Sequence, residues 1–254
     1  MSPRAVSTKR TVTAVVARYI SQPRLEPYLI EANGNHERAL ALYQWNTQLA
    51  AAFQEVLANV EILIRNAIDL QLQTWNASRG VDPQGMPYTR EWALHPAPPL
   101  AGSVRKALQK ATQHAEYARA ARDPGHPRKH AAISHDDVVA QLSFSVWRTL
   151  MPPAAPKKLG LQNLWNNALV RAFPRAGGSS VNQILATPAE VLVHDRLDRL
   201  VTLRNRVAHM ENLLQVNVPA RLTDCLSLLN YVSPQARDWC AGASRVTEVN
   251  AARP

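Results

Sequence analysis

Between His36 and Trp75 the apolar side chains recur every three or four positions: Leu42, Trp45, Leu49, Phe53, Val56, Val60, Leu63 and Ala67. That spacing gathers them on one side of a helix and leaves charged and amide residues on the other. The stretch holds no proline or glycine over about ten turns. It predicts one very long helix, or two joined by a kink, with Asn35 as the N-cap.

Prolines 83, 87, 96, 98 and 99 then interrupt the pattern, so "VDPQGMPYTREWALHPAPPL" reads as a loop. Ser103 is the expected cap of a basic helix, "VRKALQKATQHAEYARAAR", followed by the loop "DPGHPRKH". Ser134 and Asp137 form a Ser-x-x-Asp start ahead of "VVAQLSFSVWRTLM", a helix stopped by Pro152 and Pro153. "LQNLWNNALVRAF" predicts a short helix ended by Pro174 and a flexible "RAGGSS". In "TPAE", Thr187 is read as the cap, Pro188 as the first helical residue and Glu190 as the closing member of a capping box. The helix from there runs to about residue 211, and "VPARLTDCLSLLNYV" and "SPQARDWCAGASRV" close the chain as helices. Alternating segments that could pair into a sheet are absent, so the fold class is all-α.

Composition narrows the function. The 254 residues are 46% hydrophobic and 19% charged, which excludes a disordered chain and allows a substantial core. Two cysteines, Cys225 and Cys240, stand outside any CxxC or Cys/His cluster, arguing against a disulfide scaffold or structural zinc. The net charge of +10 draws polyanions: nucleic acid first, an anionic membrane surface second. No apolar run approaches the roughly 20 residues of a spanning helix, and the basic N-terminus is too broken by Thr13 and Arg18 for a signal peptide. These features describe a soluble, cytoplasmic protein.

The stretch "LVTLRNRVAHMENLL", residues 200 to 214, carries the candidate chemistry. Five residues on a helix separate Arg204 and His209 by roughly 140° around the axis and about 7.5 Å along it. Arg204 therefore falls in the stripe of Leu197, Leu200, Val201, Val207 and Ala208, and His209 with Asp198, Thr202 and Arg206. An arginine in an apolar stripe needs an internal carboxylate, or it lines a cleft between elements.

"LRNRVAHMENLL" resembles the Arg-x4-6-His motif of the HEPN superfamily, with a polar Asn directly after the arginine. "VEILIRNAIDLQL", "DDVVAQLSFSVWRTLM" and "RLDRLVTLRNRVAHMENLL", in that order, resemble the abortive-infection (Abi-like) branch of that superfamily over roughly residues 25 to 240. The resemblance implies a HEPN-type helical bundle with additional helices. It also implies a homodimer that faces two motifs across a basic cleft, and a metal-independent endoribonuclease of phage-defence or toxin-antitoxin type, with no cofactor. Its products would carry 2′,3′-cyclic phosphate and 5′-OH ends. His209 would act as general acid/base, Arg204 would stabilise the transition-state charge, and Asn205 would orient the histidine or the phosphate. An antitoxin, protein or RNA, would restrain it.

Arg206 is read as a solvated or RNA-contacting residue. Arg119, Arg122, Arg128 and Lys129 form a basic patch, either solvated or in contact with an RNA backbone. Arg65 is expected to pair with Glu61; Trp45, Trp147 and Trp165 to sit in the core; and both cysteines to be structural. The chain divides into an arm over 1–24, short-helical or flexible, a helical domain over 25–245 and a tail over 246–254. The alternative function is a non-catalytic HEPN module, a scaffold or antitoxin that binds RNA or protein.

Overall fold

The computed structural model describes residues 14–154, 159–177 and 187–254. The fold is all-α: among the described residues no strand occurs, only one isolated bridge between Val81 and Pro87. No helix among them is long and apolar enough to cross a membrane.

The long periodic stretch is one helix. After the helical residues 14–20 and α1 (Gln22–Glu31), α2 runs unbroken over His36–Ala77, and the Asn35 side chain accepts from the Arg38 N–H as the sequence predicts. Leu42, Trp45, Leu49, Phe53, Val56 and Val60 are buried as expected, but the stripe then passes to Ile64, Ile68, Leu72 and Trp75. Leu63 and Ala67 are only partly buried. At 3.6 residues per turn a strict heptad drifts around a straight helix, and over 42 residues the buried face follows the drift.

Around α2 lie α3 (Leu100–Ala120), α4 (His135–Ala140), α5 (Phe144–Thr149), α6 (Leu159–Asn167) and a 3-10 turn (Leu169–Ala172). They are followed by α7 (Ala189–Ala208), α8 (Val218–Val232), α9 (Pro234–Ala243) and α10 (Val246–Ala251). Helix α2 packs against α1, α5, the 3-10 turn, α7, α8, α9 and α10, so one buried cluster spans the chain. Trp45, Trp147 and Trp165 are in that core, and so is Trp92, fully buried although it lies in the proline-rich connection.

Several starts and stops differ from the sequence reading. Helix α3 begins at Leu100 with Pro99 at its cap, so Ser103 sits in the first turn rather than capping it. The capping box of Ser134 and Asp137 forms, but the helix after it breaks at residues 141–143 into α4 and α5. At α7 the box is absent. Pro188 is itself the cap, with no side-chain cap bond, and Glu190 instead accepts from Gln162 on α6. Gly160 of α6 lies against Pro99, where a Cβ would come within 2.9 Å of the proline Cβ.

The ends also differ. The expected tail is the docked helix α10: Val246 is buried, the Trp45 indole donates to Val249 O, and Arg253 pairs with Glu31. Of the arm, residues 14–20 are helical and α1 already begins at Gln22, while residues 1–13 lie outside the described residues. So does the second half of the "RAGGSS" segment, over 178–180.

Candidate functional site

Helix α7 separates the candidate residues onto different surfaces. Leu197, Leu200, Leu203 and Val207 bury its inner face, whereas Val201 is half-buried and Ala208 exposed. Arg204 is half-buried and lines a polar cleft of about 540 Å³, between α2, α3, the turn joining α4 to α5, and α7 itself. Its guanidinium has no hydrogen bond or ion pair among the described residues. The other basic groups of that cleft are Arg65, Lys110 and His114, and its single carboxylate, Glu61, pairs with Arg65 at 3.3 Å. That pairing is the one the sequence predicts.

Asp198, Thr202 and Arg206 share the opposite side, as helical spacing requires. They line a smaller depression of about 290 Å³ with Leu203 and Val216 at its base and Arg199 and Arg221 at its rim. Arg206 also approaches Glu211 at 3.6 Å. Asn205 is exposed.

His209 is exposed at the C-cap of α7, whose last helical residue, Ala208, falls three residues before the end expected for the helix. The stop is a Schellman turn built without glycine. Met210 takes φ 52°, its N–H donates to Val207 O, and the Glu211 N–H reaches back to Arg206 O at 2.9 Å. A left-handed methionine costs about 1 kcal/mol, and side chains from elsewhere in the chain hold it. Arg24 donates to Met210 O at 2.7 Å. Buried Asn46 of α2 accepts from the Leu213 N–H at 2.6 Å and donates to Glu211 O at 3.3 Å. Arg253 donates to Leu214 O at 3.2 Å. The backbone that carries His209 is thus fixed by α1, α2 and the C-terminus.

The expected basic patch is folded onto itself. Lys129 donates to Ala120 O and Arg122 O at the C-terminal end of α3, where free carbonyls and the negative dipole end favour a cation. Arg119 donates to Ala131 O, and Arg122 and Arg128 converge on Asp137. Ser134's backbone N–H is the main reason the Asp137 carboxyl lies below the ordinary range, with Ser134's hydroxyl and the two arginines adding to it. These four cations close the loop between α3 and α4. The structure does not bring them together with Arg204 or His209.

Two buried charge clusters went unread in the sequence. Asp69 of α2 accepts from the Trp92 indole at 2.7 Å and bonds His135 Nε2 at 2.9 Å, while His135 Nδ1 accepts from the Ala93 N–H. Nε2 therefore carries the proton. Burial alone would raise the Asp69 carboxyl, but hydrogen bonds from His135, Trp92 and Gln73 outweigh it and hold it low. On α8, Asp224 is buried and meets Arg196, Arg199 and Arg221 at 2.7, 2.7 and 3.2 Å. Burial again opposes ionisation, and the arginines again prevail. A carboxylate inside the apolar run "LTDCLSLL" was the available signal, since it requires cations to be buried at all.

Among the described residues no group of three or more His, Cys, Asp or Glu could hold a metal ion. Cys225 and Cys240 are buried free thiols, and burial pushes both pKa values up, away from nucleophilic use. No family model, curated protein or solved structure matches this chain.

Proposed function

We propose that the protein is a metal-independent endoribonuclease of HEPN type that acts as a homodimer. In this reading the 2′-oxygen of RNA bonds to the adjacent phosphorus as the bond to the 5′-oxygen breaks. A neutral imidazole takes the 2′ proton and a protonated one supplies the leaving oxygen, the two copies of His209 filling these roles. Arg204 stabilises the added charge on phosphorus. The products are a 2′,3′-cyclic phosphate and a 5′-OH. Cleavage of this kind arrests growth, so the physiological setting is phage defence or a toxin restrained by an antitoxin in the cytoplasm.

The observation that carries the reading is the state of Arg204: a half-buried arginine whose guanidinium has no acceptor among the described residues and which lines a basic cleft. An arginine kept only for stability would be paired, as Arg196, Arg199 and Arg221 are on Asp224. The exposed imidazole of His209, on a backbone clamped from three directions, supports it further.

The test is purified protein with labelled RNA in EDTA. Cleavage to cyclic-phosphate ends, lost in Arg204→Ala and in His209→Ala while both stay folded, is expected. Cleavage that needs an added divalent ion, or survives both substitutions, overturns the reading. Because Arg204 and His209 leave one helix in different directions, a second reading stands beside it: a non-catalytic module that binds RNA. It predicts binding without cleavage in the same assay.

A further inference from the structure

We propose that the cleft beside Arg204 is a phosphodiester-binding groove for single-stranded nucleic acid, with Lys110, His114 and Arg65 as its phosphate-contacting groups. The proposal rests on the nuclease reading only for the identity of the strand as RNA.

The charge balance of the lining is the first support. Arg65, Lys110, His114 and Arg204 face one carboxylate, Glu61, and that carboxylate is already engaged by Arg65. Two of the guanidinium groups also have unused donors. Arg204 has no partner among the described residues, and Arg65 Nε is buried with no hydrogen-bond acceptor. The Arg204 guanidinium is therefore free to meet an acceptor entering the cleft, whereas Arg65 Nε, shielded from solvent like Trp147 Nε1 and Arg148 Nε, can add to the groove only through the rest of its guanidinium.

The shape is the second support. Lys110 and His114 are one turn apart on α3, about 6 Å along its axis, so a single strand running beside that helix meets both. Ala107, Ala111 and Ala140 keep the walls low between the charged groups. Ser143, Ser145 and Thr149 add hydroxyls along the opposite wall. The volume of about 540 Å³ falls within the range of small-ligand sites. Lys110 and His114 are exposed, leaving that side of the cleft accessible to a strand. None of these residues belongs to the 204–209 segment except Arg204, so the groove extends the site onto α2 and α3.

The test uses the full chain and a labelled single-stranded deoxyoligonucleotide, which lacks the 2′-OH and so is bound without transfer chemistry. Anisotropy is measured over a range of salt concentrations. Lys110→Ala and His114→Ala change exposed positions and leave the fold intact. Lys110→Ala removes one cationic contact and lowers the slope of log K against log salt by about 0.7 for a single strand, whereas His114→Ala is read through affinity. Lys110→Glu, which also repels the strand, is expected to weaken binding tenfold or more. Arg237→Ala, a half-buried arginine on α9 outside the cleft, is expected to bind as the unmodified protein does. His209→Ala separates the two proposals, because it should bind normally while failing to cut RNA. Unchanged affinity and salt slope in Lys110→Glu would sink the groove, whatever the cleavage assay shows. Binding that depends on Lys110 and His114 without any cleavage by the unmodified protein would uphold the groove and refute the nuclease.

Discussion

Asn46→Ala isolates the clamp on the candidate histidine. The amide side chain is buried on α2 and makes two bonds to the loop after His209. The stronger, 2.6 Å from the Leu213 N–H, joins two buried residues, so its loss strands a donor away from water. That costs about 1–3 kcal/mol. The weaker bond, to Glu211 O at 3.3 Å, belongs to an exposed residue whose carbonyl water can reach, and adds little. A total near 2 kcal/mol lowers the melting temperature by about 4–8 °C for a chain of this size. It also increases exchange of the Leu213 amide by a factor of about 30, since each 1.36 kcal/mol is tenfold. Thr47→Ala, one position along on the exposed side, should change neither. Hydrogen exchange followed by mass spectrometry reads the loop directly, and RNA cleavage read in parallel should fall because His209 loses its fixed support. Unchanged exchange at Leu213 in Asn46→Ala would refute the clamp.

Other substitutions test the remaining framework. Asp224→Ala leaves three guanidinium groups without their shared carboxylate; because these are partly solvated, a loss of about 3 kcal/mol is expected in denaturant unfolding. The folded-state pKa of Asp224 is depressed, so its contribution is present above the unfolded value near 3.9 and disappears as pH falls through the folded one. The stability curve of Asp224→Asn should accordingly be flatter between about pH 5 and pH 2. Gly160→Ala should destabilise by about 1–3 kcal/mol through collision with Pro99, visible as a lower thermal midpoint. Neither cysteine should react with a maleimide at neutral pH until denaturant exposes it; prompt labelling of the native protein would contradict their burial.

What could be read from the sequence was whatever has a local period or a local start signal. The long helix, the Asn35 cap, the Ser134 box and the Arg65–Glu61 pair are all contained within four residues of chain or repeat at helical spacing. The end of α7 was not legible, because Met210 supplies a conformation usually marked by glycine, and the groups that hold it there are at positions 24, 46 and 253. The cap at Thr187 failed for a related reason, since Glu190 is taken by Gln162 from another helix. Within the candidate site, opposite faces for Arg204 and Arg206 followed from 100° per residue. That Arg204 would meet Arg65, Lys110 and His114 did not, because only packing joins three distant helices. The cluster from 119 to 129 read as solvated or in contact with an RNA backbone, yet several of its donors are taken up by the end of α3 and by Asp137.

Helix α2 supplies both Arg65 at the cleft and Asn46 at the loop, positions separated by about 28 Å of rigid rod. On the proposed reading, the groove and the loop after His209 are therefore held at a fixed separation by one helix. The same rod joins partners from residue 25 to residue 249, so a nick in the connection between α2 and α3 should leave two fragments that stay associated. Neither fragment should hold its shape alone.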